Sequence, residues 1–205
     1  MSTFQYRPRL LFLAIVAFTS GTCQSALADP ATVRSSSGGP CDAAIDQFIS
    51  APTTENYLAI PHHGDLCWAH PKTKQLQALD ALVAGGDKLA LELLAPKIRH
   101  LDGGELEDAL RSVGQYSTHG MTHVIEMRLS GALTASEFHD ALTTLPLTLV
   151  DDFGAQLAEL RARRAAIGKV TDPKAQTLKK DAIVAIDAFI SEIEHAQSEM
   201  EAQKR

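Results

Sequence analysis

LDGGELEDALRSVG, residues 101–114, and LTASEFHDALTTLP, residues 133–146, align without gaps 32 positions apart. They share Leu, Glu and Asp-Ala-Leu, and Leu106 and Val113 of the first copy meet Phe138 and Leu145 of the second. The segments before them align loosely, Leu89 with Met121 and Leu93 with Ile125, and Asp80-Ala81-Leu82 stands as a weaker earlier copy 28 residues ahead of Asp108. The apolar residues recur at three and four positions, the period of an α-helix rather than of a strand. A fixed period of about thirty residues with two helical stretches per period predicts stacked helix pairs.

The same period continues on both sides. Expected helices run over 42–50, from 53 or 54 to 60, over 71–83, over 87–100 with Pro96 as a kink, over 104–115 entered through Asp102, over 118–130 capped by Thr118, and over 136–145. Gly85-Gly86 separates two of them. No stretch shows sustained strand alternation bounded by hairpin turns. The fold class is therefore all-α: a short helical repeat, or else an irregular α-bundle whose two similar helices match through composition.

At this point the chain resembles short HEAT-like helical repeat proteins over roughly residues 71–146. The resemblance rests on period and apolar pattern; the tetratricopeptide pattern and the ankyrin TPLH are missing. It implies an α-solenoid that binds other molecules on a concave face and brings no chemistry of its own.

Downstream, Phe153, Leu157, Leu160 and Ile167 mark one face of a helix over 147–168, and Arg164 falls on the same line, where it would lay its stem along the core. Asp172-Pro173 suits the start of another helix, along which Ile183, Ile186, Ile190, Ile193 and Met200 follow a heptad-like spacing. Residues 147–205 are expected to form an antiparallel hairpin that closes the repeat region of residues 41–146. The competing use of that face is a homodimeric coiled coil. AIDQFIS at 44–50 and AIDAFIS at 185–191 share one amphipathic pattern without fitting the repeat period.

Residues 1–28 read as a secretory signal peptide. Arg7 and Arg9 precede nine consecutive apolar residues, 10–18, and Ala26-Leu27-Ala28 offers small residues to a peptidase. The apolar run is far short of the ~20 residues that a membrane span requires. Thr22 ahead of Cys23 argues against a lipid anchor. Residues 29–40, DPATVRSSSGGP, read as a flexible leader. The expected location is periplasmic or secreted.

Removing the signal takes away two arginines and leaves 17 basic against 25 acidic residues, a net charge of −8. Such a surface repels phosphate backbones and anionic headgroups, so neither nucleic acid nor a membrane is expected as the main partner. Export also leaves two cysteines, Cys41 and Cys67, expected to form a disulfide. The second reading of that region is a zinc site using both thiols with His62, His63 and His70 of HHGDLCWAH, although CxxC and HxxxH spacing is missing. Trp68 is read as a plug on the terminal core layer.

No GxSxG elbow or free reactive cysteine supports acyl transfer, and GGD at 85–87 and DGG at 102–104 follow no strand, so they are helix breaks rather than phosphate loops. Glu105, Asp108, Glu137 and Asp140 recur with the repeat, as helix entry requires. The basic cluster Arg161, Arg163, Arg164 and Lys169 is read as a solvated helix end.

The expected function is therefore binding of another envelope or secreted protein, as an inhibitor, immunity protein or adaptor, with no cofactor. Tyr116, His119, His123 and His139 are the expected contact residues, taken as exposed aromatics and histidines near helix ends. The alternative is a zinc-binding or metal-dependent protein using His119, His123 and Glu126, with His139 as a fourth ligand, because positions i and i+4 share a helical face.

Overall fold

The structure, a computed structural model, describes residues 40–61 and 72–203. Among them it is all-α: α1 (Pro40–Ser50), α2 (Thr54–Ala59), α3 (Thr73–Ala84), α4 (Lys88–Leu94), α5 (Gly103–Leu129), α6 (Ala135–Thr143), α7 (Phe153–Gly168) and α8 (Gln176–Gln203). The signal and leader, the zinc alternative at His62, His63 and His70, Trp68 and Cys67 all lie outside the described residues. Cys41, in the first turn of α1, is not a free thiol.

Helix starts follow the local chemistry. Thr53, Asp87, Asp152 and Asp172 each accept a backbone N–H two or three residues on, and Thr134 and Glu137 bond each other's backbone N–H in a capping box. Asp102 holds the N-cap position of α5 without a side-chain bond. Pro96 does not kink a continuous helix; it converts α4 into a 3-10 segment, Ala95–His100, because a proline lacks the N–H that an α-helical bond would use. Helix α7 starts at Phe153 rather than at 147; the preceding Leu147–Leu149 is a single 3-10 turn.

The main departure is α5. A break was expected between Gln115 and Thr118, yet Gly103–Leu129 is one helix, interrupted only by non-helical angles at Gly120. Thr118 does not cap a new helix: its hydroxyl donates back to the Gln115 carbonyl at 2.9 Å, as Ser117 does to Gly114 at 2.6 Å. Ser and Thr hydroxyls can satisfy themselves this way inside a helix. At the kink a Cβ would overlap the Tyr116 ring, so the glycine leaves that ring its place.

Helix α5 is the centre of the molecule and packs against α3, α4, α6 and α7. Its buried side chains Ala109, Leu110, Val113, Tyr116, Met121, Val124 and Ile125 join Leu76, Leu79 and Val83 of α3, Leu91 and Leu94 of α4, and Phe138 and Leu142 of α6 in one core. Burial of such side chains stabilises by ~1.5–3 kcal/mol each against the entropy of ordering them. At Gly114, α5 approaches α6 so closely that a Cβ would overlap the Ala141 carbonyl and the Arg163 guanidinium. Helices α7 and α8 pack together, and α8 also touches α6. Ile186 and Ile193 are buried and Ile183 and Ile190 half-buried in that packing, so the heptad face of α8 is used within the chain.

One correction concerns α7. Its buried line is Leu157, Leu160, Arg163 and Ile167, one residue away from the line through Arg164. Arg163 is fully buried, while Arg164 lies on the surface and pairs with Asp187 of α8.

Candidate functional site

The kink at Gly120 opens a cleft of about 370 Å³ against the C-terminal end of α7, lined by Lys88, Thr118, His119, Thr122, His123 and Glu126 with Lys169 from beyond α7. A helix with angles far from α at one residue cannot keep the faces on its two sides in register. His119 therefore stands exposed before the kink, and His123 is buried after it.

His123 is the most connected polar group of the cleft. Its Nδ1 lies 3.0 Å from Glu126 Oε2, and its Nε2 lies 3.4 Å from Glu92 Oε1 on α4. The second approach lacks hydrogen-bond geometry, which leaves Nε2 buried without a bond. Glu92 in turn faces Lys88 at 3.7 Å and accepts a bond from the Tyr57 hydroxyl of α2. Burial, followed by the charge and hydrogen bond of Glu92, holds the Tyr57 hydroxyl above its usual range.

Tyr116 belongs to the same group. Its ring centroid lies 6.3 Å from that of His123 at 60°, and it fills the space that Gly120 leaves free. Burial, then the charges of Asp87, Glu92 and Glu126, raise its hydroxyl above the usual range. Lys88, Lys169 and the His119 imidazole stand around the cleft.

A second open cleft, of about 360 Å³, shares Thr118 and His119 and runs to Pro146, Thr148 and Leu149 at the turn between α6 and α7 and to Glu159 on α7. That turn also exposes Leu147 and Val150, at 63% and 60%. His119 is therefore a ridge between two depressions.

The expected contact residues divide accordingly. Tyr116 and His123 are 4% and 8% exposed, so neither is the helix-end surface residue that the sequence suggested. Both lie inside a helix that continues through the expected break. His119 is exposed on the cleft rim. His139 is half-exposed on α6, 3.5 Å from Asp140, and lines a different pocket.

The expected ligand set also separates. His123 and Glu126 come together, but among the described residues no three His, Cys, Asp or Glu side chains stand as a metal-holding group. The i, i+4 argument for His119 and His123 assumed regular helix, and Gly120 falls between them.

Sequence reasoning gave no site role to Lys88, to Lys169 or to Glu92, which faces His123. Lys88 and Lys169 reach the cleft from α4 and from beyond α7, and only tertiary packing joins those segments to α5. The basic cluster was visible, yet three of its members are committed elsewhere: Arg161 to Glu194, Arg164 to Asp187 and Arg163 to Glu159. Lys169 alone of the four lines the cleft.

Comparison of the chain with protein-family models, with characterised proteins and with solved structures returns no match.

Proposed function

We propose that this chain is an exported, acidic helical scaffold that binds another envelope or secreted protein, as an inhibitor, immunity protein or adaptor, and that the partner docks on the ridge at His119. The observation that carries this reading is the pair of open clefts meeting at that histidine, with exposed Leu147 and Val150 beside them. Exposed apolar side chains rimmed by polar ones are the usual character of a protein contact surface. Lys88, Lys169 and His119 favour an acidic segment of the partner at the rim.

Three side-chain bonds between segments one alignment step apart support the scaffold part. Thr73 bonds Glu105, Ser112 bonds Asp80 and Arg99 bonds the Gly131 carbonyl, each across 32 residues. That is the separation at which residues 101–114 and 133–146 align. The reading includes a Cys41–Cys67 disulfide, which the bonded state of Cys41 supports and which would contribute ~3–4 kcal/mol in the chain-entropy account.

The test is affinity capture from the exported fraction of the native host with the oxidised chain from Asp29, comparing wild type with a His119→Glu, Lys169→Glu variant. One protein enriched by the wild type and lost with the variant is expected. Equal enrichment by both, or none by either, contradicts the proposed docking ridge.

A further inference from the structure

Away from the His119 ridge, the end of α5, helix α6 and the start of α8 enclose a smaller pocket of about 190 Å³. Phe138, Leu142, Leu178 and Ala182 give it apolar walls, and Arg128, His139 and Asp181 stand at its polar side. An apolar cavity of ~150 Å³ is enough to hold one benzene ring, so this one has room for a single ring or a short branched chain with a small polar group.

Arg128 sets the chemistry. Six arginines lie within the described residues, and five of them hold an oxygen through the side chain. Arg99 donates to Gly131 and Ala132, Arg111 pairs with Glu107 and Asp108, and Arg161, Arg163 and Arg164 pair with Glu194, Glu159 and Asp187. Arg128 is the exception: its side chain makes no hydrogen bond or ion pair, and its Nε is buried. A guanidinium is built to take a carboxylate through two parallel bonds, and a buried N–H without a partner costs ~1–3 kcal/mol in an isolated chain. Asp181 borders the same pocket but does not come within ion-pair distance of Arg128, and its own charge disfavours a second anionic group there.

We propose that this pocket binds a small monocarboxylic acid with an apolar body, of about the size of benzoate. The carboxylate sits on the Arg128 guanidinium, and the hydrocarbon lies against Phe138, Leu142 and Leu178. Nothing in this proposal depends on the protein-docking ridge, which shares no lining residue with this pocket.

The test is calorimetric titration of the purified chain with sodium benzoate, with benzamide as the neutral control of the same shape. Saturable one-to-one binding is expected with a Kd on the order of 1 mM, as suits a ligand of fewer than ten heavy atoms. Benzamide is expected to bind at least ~10-fold more weakly, as is benzoate to Arg128→Met, whose stem keeps the apolar packing. Asp181→Asn is expected to tighten benzoate binding by ~2-fold to 3-fold. Because the benzoate and benzamide comparison uses the unaltered protein, a folding defect in a variant cannot decide the matter. No saturation by about 20 mM, equal binding of acid and amide, or unchanged affinity in a folded Arg128→Met each overturns the proposal.

Discussion

Arg163, on α7 beside α5, and His123, on α5 itself, are both buried and both capable of carrying positive charge, yet their surroundings differ. Around Arg163 two of the three guanidinium nitrogens meet fixed oxygens, and Nη2 is buried without a bond. Nη1 donates to the carbonyls of Ala141, Leu142 and Thr144, the last turn of α6, and Nε donates to Glu159. A cation at a helix C-terminus satisfies carbonyls that have no partner in the helix and complements the dipole. Burial lowers the affinity of Arg163 for its proton and Glu159 opposes that effect; the bonds form a clamp that ties α7 to the end of α6. Around His123 the enclosure is incomplete: one nitrogen meets Glu126, the other faces Glu92 without a bond, and the side chain borders an open cleft. A buried cation bonded to four oxygens of two helices ties those helices together, and a buried ring with one bond beside a cavity marks where another molecule can add a contact.

The largest effect is expected from opening the clamp. Arg163→Met removes the donor from three α6 carbonyls and leaves Glu159 unpaired, a loss of ~3–5 kcal/mol in unfolding free energy. Urea denaturation checks it, and a loss under ~1 kcal/mol would mean that water replaces the guanidinium at the carbonyls. If the contrast with the cleft is sound, the variant that still folds keeps the His119 ridge.

Gly120→Ala tests the other side of the comparison. The new Cβ has to displace the Tyr116 ring, which is expected to cost ~1–3 kcal/mol by overpacking. Adding Tyr116→Ala to it is expected to recover part of that cost, a coupling that a double-mutant cycle measures directly. Additive losses would show that the kink has a cause other than the ring.

Asp80 is a third case, a buried acid with no cation. Burial in α3, then the charges of Asp108 and Glu105, push its carboxyl up to about 7 against the opposing hydrogen bond from Ser112. Since the folded state holds this proton more tightly than the unfolded chain, the contribution to stability is fully present below the ordinary carboxylate range and is lost as pH rises through about 7. Asp80→Asn is therefore expected to stabilise by on the order of 1–2 kcal/mol at about pH 8, after allowing for the solvent that still reaches the group, and to be neutral near pH 4. Unfolding midpoints at the two pH values check both the size and the sign.

The features legible in the sequence are those set by neighbours along the chain. The apolar period gave the all-α class, and Thr53, Asp87 and Asp172 announced helix starts because a side-chain cap reaches only two or three residues. Thr118 misled because a hydroxyl serves as a cap or bonds back into its own helix, and the residue type does not distinguish the two. Gly120 could not be read as the kink without knowing that the Tyr116 ring occupies its vacant side. Choosing Arg164 over Arg163 for the buried line was an error of one residue in helix phase, corrected only by the α6 carbonyls that fix the register. Glu92 and Lys169 entered the candidate site from helices distant in sequence, for which a single chain carries no signal.

The central claim is that an exported partner docks on the ridge at His119. The most direct measurement is the affinity of the captured and purified partner for the wild-type chain, for His119→Glu with Lys169→Glu, and for Arg161→Gln on the α7–α8 surface, at about 0.15 M salt. The account predicts a loss of at least ~10-fold for the ridge variant and an unchanged affinity for Arg161→Gln. Equal affinity for all three, with each folded, would contradict it and move the binding surface elsewhere on the molecule.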